Sequence, residues 1–215
     1  MQYENRQAAA RALLNALTRW NNDSNAVICA LPRGGVELGV ELATAMNLPL
    51  YLLHVKKIVH PLYSEVAVGA VSDSTKLIQS GWEESPQVQG QVLNAREIIA
   101  QRKEKYKWTN PNIKGKSILL VDDGIATGLT MELAVSILRK QSPKEMILAV
   151  PVASLDAYSR LCSQVDVFTC PYFPHRFDAV GSFYKDFPQV SDEEVIRLLQ
   201  SINKKSPAEP GLKMG

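Results

Sequence analysis

A chain of 215 residues with 46% apolar and 21% charged residues is long enough to bury a sizeable core and has the balance of a globular domain. Its formal charge of +2 is too small for a surface that coats nucleic acid or is steered to a membrane. Cys29, Cys162 and Cys170 are odd in number and lack metal-ligand spacing, which suits buried thiols in a reducing cytoplasm.

No basic start followed by an apolar run opens the sequence, and no apolar stretch nears the ~20 residues that cross a bilayer. Residues 2–20 are predicted as an amphipathic helix, with Ala9, Leu13, Ala16, Leu17 and Trp20 on one stripe. A short apolar run over 26–31 ends in Pro32-Arg33-Gly34-Gly35, helical spacing returns over 36–46, and 50–55 reads as a second strand. Strand, glycine turn, helix, strand is a βαβ unit, and runs of this kind suit a parallel sheet buried on both faces. The pattern turns irregular over 58–80, where 66–71 and 76–79 suit a hairpin turning at Ser72-Asp73-Ser74. A long helix is predicted over 88–106, strands over 117–121, 146–150 and 165–168, and helices over 130–140, 155–161 and 192–201. Residues 203–215 are polar and contain Gly and Pro, as expected of a disordered tail. The predicted fold is an α/β doubly wound, mainly parallel sheet with helices on both faces, in one domain over 1–202. In such sheets ligands sit at the turns beyond the carboxyl ends of strands.

The turn after Val121 carries the chemistry. Asp122 and Asp123 end an apolar strand, and Gly124, Ile125, Ala126, Thr127, Gly128, Leu129 and Thr130 wind into a helix start. Small residues let the backbone close on an anion, while free N–H groups and the helix dipole favour a phosphate. A Walker A loop would need Gly-Lys-Ser/Thr, which is missing, so a terminal phosphate fits better than a triphosphate. Carboxylates repel phosphate, so the aspartates make sense if the ligand also carries a diol, held directly or through Mg²⁺. A ribose 5-phosphate meets both demands. The same aspartates could merely cap the helix. A receiver domain also has a strand ending in Asp-Asp, but that pair opens such a domain and too little chain follows Asp123.

This segment resembles the phosphoribosyl-pyrophosphate motif of the type I phosphoribosyltransferases: apolar residues, two acids, then a small-residue loop with Thr-Gly and a further Thr. The likeness implies that family's fold, with a small hood and a flexible loop or hairpin over about 58–80, and a Mg²⁺-dependent reaction. By position it implies that Asp122 and Asp123 bind ribose hydroxyls and metal and that residues 124–130 bind the 5-phosphate. Arg33, Gly34 and Lys57 would meet the leaving pyrophosphate. Glu65, in a Glu-Val-Ala-Val-Gly-Ala stretch, matches a loop pattern of an uncharacterised bacterial subgroup, and so does the segment 177–187. The likeness runs from about residue 30 to 199. Phe183 and Tyr184 are candidates to stack on an acceptor base, although Phe177, Phe183 and Phe187 can equally be core, the better reading for two of the three. Family members commonly form homodimers. One departure matters: where 6-oxopurine enzymes carry an Asp for the base's ring proton, this chain has Ala126. The implied function is transfer of phosphoribose from phosphoribosyl pyrophosphate to a nitrogenous acceptor. The alternative is a regulatory protein that binds phosphoribosyl pyrophosphate or a nucleotide without turnover. A hydrolase of ribose phosphates would need a nucleophile, and none is visible.

Overall fold

The computed structural model describes residues 1–64 and 66–203. Glu65 and the expected tail beyond residue 203 lie outside the described residues. In chain order the elements are α1 (Arg6–Leu14), β1 (Ala26–Ala30), α2 (Gly34–Met46), β2 (Leu50–Leu52), β3 (Lys56–Val59), β4 (Ala67–Val71), β5 (Lys76–Ile78) and α3 (Pro86–Tyr106). They continue with β6 (Ser117–Val121), α4 (Leu129–Arg139), β7 (Glu145–Ala149), α5 (Leu155–Leu161), β8 (Val167–Thr169) and α6 (Asp192–Asn203).

Five strands form a sheet in the order β2-β1-β6-β7-β8, every neighbouring pair parallel. The apolar runs are continuous because both faces are buried, and their side chains are dealt out alternately. Ile28, Ala30, Leu119, Val121, Ile147 and Ala149 pack in the core beneath α1, α2 and α6. Val27, Cys29, Ile118, Leu120, Met146 and Leu148 pack on the opposite face with α4 and α5. That period of two builds the double winding that the sequence predicts. Strand order reverses between β1 and β6, which makes their carboxyl ends the crevice of the fold.

Three boundaries differ from the sequence-based expectation. The first helix is shorter than 2–20: Asn5 Oδ1 accepts the Ala8 N–H at 2.9 Å and starts it, and the chain tightens after Leu14 into a 3-10 turn at Thr18–Trp20. Tyr3 instead pairs with the chain near Tyr184, its N–H donating to Phe183 O at 2.8 Å. The expected strand over 50–55 stops at Leu52 because the chain leaves the main sheet. From Lys56 it joins a three-stranded antiparallel sheet, β3-β4-β5, where a two-stranded hairpin was expected. Val68 and Val71 of β4 pack with Val88, Val92 and Ala95 of α3, whereas Ala70 joins the α4 side. Strand β4 is thus clamped on both faces. The tip between β3 and β4 projects, leaving Leu62 and Tyr63 exposed.

Candidate active site

Ala30 and Val121 are register partners, so the turns that follow β1 and β6 begin side by side. Arg33 is the N-cap of α2, and Gly34 and Gly35 form its first turn; the Pro32–Arg33 peptide bond is cis. A methyl group on Gly34 would lie 2.2 Å from Asp123 Oδ2, and one on Gly35 would lie 2.8 Å from Asp122 Oδ1. The missing side chains let the N-terminus of α2, with its free N–H groups and positive dipole end, reach two carboxylates. Gly34→Ala is therefore expected to cost about 1–3 kcal/mol by overpacking. Thermal melting would show that loss, and donor affinity would fall with it because Asp123 must swing away.

Asp123 is tightly held. Its Oδ2 accepts from Arg6 Nε at 2.9 Å, and its carbonyl accepts from Tyr184 Oη at 2.5 Å. Arg6 is 4% exposed; Nη1 donates to Pro188 O at 3.0 Å and lies 3.5 Å from Glu37 Oε2, and the guanidinium sits 3.7 Å over the Phe187 ring. Asp122 Oδ1 accepts the Asp123 N–H at 2.9 Å, and among the described residues no cation is paired with it. Burial, followed by the charge of Asp123, pushes the Asp122 carboxyl well above the ordinary range. Burial also raises Asp123, with Arg6 opposing. Two adjacent carboxylates thus share one guanidinium, and a charge deficit stays on Asp122.

The loop after them divides its residues between core and ligand. The side chains of Ile125 and Leu129 are buried, whereas Ala126 and Thr127 are exposed. Gly128 takes φ +82° as the N-cap of α4, a conformation that suits glycine. None of the N–H groups over 126–130 donates to an acceptor among the described residues. The Ile125 N–H does, to Val152 O at 3.0 Å, and the Ser154 N–H returns to Ile125 O at 3.0 Å. Ile125, expected among the phosphate ligands, is therefore scaffold. Its backbone is already satisfied, and it braces the five groups that follow.

Lys57 lines a cavity of about 170 Å³ with Asp122, Gly124, Ala126, Thr127, Gly128 and Thr130. Strand alternation explains the choice between two lysines. Lys57 pairs with Ala70, on the α4 side of β4, and Lys56 pairs with Val71, on the α3 side. A larger cavity of about 570 Å³ shares Ala126 and Thr127 and extends past Ser154, Asp156, Arg160, His175, Phe177 and Asp178, with Gln79 of the hairpin. Among the described residues no group of three or more His, Cys, Asp or Glu side chains could hold a metal by itself.

Two expectations need correction. Phe183 and Tyr184 offer no free face to a base. Phe183 is buried 4.9 Å from the Phe177 ring and 5.8 Å from Tyr172, and Tyr184 stacks on Phe187 at 4.8 Å with Tyr3 at 5.7 Å. Their work is to fix Asp123 and the N-terminal segment. Arg33, expected to face the leaving group, points its Nη1 at Asp192, 3.9 Å away. Sequence reasoning missed Arg6 entirely. It lies 117 positions from Asp123, and the only local sign is an arginine in an otherwise alanine-rich first turn.

The class follows from the comparisons. Residues 2–180 match the phosphoribosyl transferase domain family, and this chain belongs to it. A Mycobacterium tuberculosis protein assigned by name to the phosphoribosyl transferases is 30% identical over 210 residues, 94% of this chain; the chain spans 47% of that relative's length. The crystal structure of TT1426 from Thermus thermophilus shares 32% identity and superposes with a TM-score of 0.77 over 94% of this chain and 99% of its own. AQ2163 from Aquifex aeolicus, at 13% identity and a TM-score of 0.53, covers 82% of this chain and 78% of its own and is alike in fold alone. No helix among the described residues is long and apolar enough to cross a membrane.

Proposed function

We propose that this chain transfers 5-phosphoribose from phosphoribosyl pyrophosphate to a nitrogenous acceptor, a nucleobase, and releases pyrophosphate. One observation carries the reading: Asp122 and Lys57 border a single small cavity together with Ala126, Thr127, Gly128 and Thr130, whose N–H groups have no protein acceptor among the described residues. The N–H groups suit a terminal phosphate. Asp122, which has no paired cation among the described residues, would suit ribose hydroxyls and could hold a Mg²⁺ ion carried in with the donor. When bound, that ion supplies charge neutralisation to the departing diphosphate. Asp123 fits this role less freely, because Arg6 already occupies Oδ2.

In the reaction the bond from the anomeric carbon to the diphosphate oxygen breaks, its electron pair leaves on pyrophosphate, and the acceptor nitrogen bonds to the same carbon. Positive charge builds on the ribose ring, beside the two aspartates. Lys57 and the N-terminus of α2 face the negative charge that leaves. The phosphate loop fixes the sugar so that the carbon is presented in one orientation. The tip over 60–64, where Leu62 and Tyr63 are exposed, is the segment that would close over the site and exclude water.

The larger cavity is the acceptor space, because it opens directly from Ala126 and Thr127. Phe177, partly exposed there, replaces Phe183 and Tyr184 as the aromatic available to a flat ring. With a methyl at Ala126, the carboxylates on that wall are Asp156 and Asp178. The test is pyrophosphate release from phosphoribosyl pyrophosphate and Mg²⁺ with a panel of nucleobases. Release dependent on one base supports the transfer reaction. Tight donor binding with no release for any base would replace it with the regulatory reading.

A further inference from the structure

The outer edge of the main sheet holds a cavity that shares no residue with the two already described. Strand β2 is an edge strand, and side chains from the segment after α3 take up its backbone groups. Asn110 Oδ1 accepts the Leu52 N–H at 2.7 Å, Asn110 Nδ2 donates to Leu52 O at 2.9 Å, and Trp108 Nε1 donates to Leu50 O at 3.3 Å. This packing leaves a space of about 240 Å³ bounded by Leu52, His54, Lys103, Tyr106, Trp108 and Asn110. Its walls are set in advance. Tyr106 is buried, its Oη donates to Asp192 Oδ1 at 2.7 Å, and the His54 ring stands 5.8 Å from its ring.

The polar atoms of Trp108, Asn110 and Tyr106 are thus spent within the protein, and those of His54 are not. Its side chain is only 9% exposed, borders the cavity, and makes no hydrogen bond among the described residues. Burial, then the charges of Lys103 and Arg102, push His54 down to about 4. At neutral pH the ring is therefore an uncharged imidazole with one N–H and one bare nitrogen. Lys103 pairs with Asp73 and keeps N–H groups to spare. A buried polar ring with nothing to bond is costly unless a partner enters the space. We propose that this cavity binds a planar heterocycle the size of one nucleobase, through an amide edge in which a ring N–H adjoins a carbonyl. The N–H donates to His54 and the carbonyl accepts from Lys103, while Tyr106 and Trp108 supply flat apolar surface. The size fits as well, being below the ~300–1,000 Å³ of pockets that hold larger ligands. Neither the donor nor the acceptor assignment made above is needed for it. A purely structural His54, which only fills space against Tyr106, predicts changes in stability and no ligand.

Fluorine NMR of protein labelled with fluorotryptophan separates the two, because of Trp20, Trp82 and Trp108 only Trp108 borders this cavity. Uracil, and separately hypoxanthine, is expected to shift the Trp108 resonance saturably and to leave Trp20 in place. The analogue 1,3-dimethyluracil keeps the ring and both carbonyls but has no N–H, and should bind at least about tenfold more weakly. H54L should weaken uracil by the same margin, and H54Q, which keeps a donor and an acceptor, falls between. An unmoved Trp20 resonance in both variants reports an intact core. The proposal is overturned if millimolar uracil and hypoxanthine leave Trp108 unmoved or move Trp82 alone. It is equally overturned if dimethyluracil binds as well as uracil, or if H54L and H54Q bind uracil as wild type does. A Trp108 resonance that follows protein concentration and not uracil makes a second copy of the chain the occupant, and overturns it too. Pyrophosphate release reads the transfer reaction separately, so either conclusion can fail while the other stands.

Discussion

Asp122→Asn combined with Asp123→Asn is expected to lower Mg²⁺-dependent pyrophosphate release by at least about 10³-fold, the scale seen when groups facing transition-state charge are removed. The single changes should then separate function from stability. Asp122 has no paired cation among the described residues and sits against Asp123, so its charge works against the fold. Asp122→Asn keeps the shape, removes that repulsion, and should melt no lower than wild type while donor binding collapses. Asp123→Asn does the reverse work on the fold. It takes the counter-ion from Arg6, a buried guanidinium, and should lower the melting temperature clearly. Thermal melting and a binding isotherm for phosphoribosyl pyrophosphate, with and without Mg²⁺, check both. Donor affinity that survives the double change would sink the ribose assignment.

The position of these two aspartates was legible because its signal is local. An apolar strand, two acids and a small-residue loop occupy consecutive positions, and parallel-sheet topology puts such a run at a crevice whatever the rest of the chain does. The core strands were legible for a related reason, since Ser117–Val121 is buried throughout and, after its serine, shows as an unbroken apolar run. Residues whose role depends on a partner far along the chain left no such trace. Strand β3 begins Lys56-Lys57, which reads as a polar strand end, and only pairing with Val71 and Ala70 makes it a strand. Phe183 and Tyr184 sit in an aromatic-rich stretch that reads equally as base platform or as core. Contacts with Tyr3, Tyr172, Phe177 and Phe187 decide for core. Asp192 reads as an ordinary acid in a first helical turn until Tyr106, Arg102 and Arg33 are seen around it.

Arg6 carries the second large effect, because it satisfies groups from three parts of the chain at once: Asp123, Glu37 and the Pro188 carbonyl. Arg6→Met retains bulk against Phe187 but strands Asp123 beside Asp122 with no cation between them. Breaking one side of a buried ion pair costs about 3–5 kcal/mol, a large share of the ~5–15 kcal/mol that holds a domain folded. The melting temperature of Arg6→Met should fall accordingly. Arg6→Lys should recover only part of the loss, because an ammonium cannot reach Asp123 and the Pro188 carbonyl in one plane while lying flat on a ring. Adding Asp123→Asn to Arg6→Met should restore stability relative to the sum of the single changes, since the stranded charge disappears with its partner. Strict additivity in that cycle would mean that Arg6 acts through packing on Phe187 and not through Asp123. With coupling, the N-terminal helix sets how much negative charge the acidic pair carries, and the proposed transfer would depend on a helix far from it in sequence.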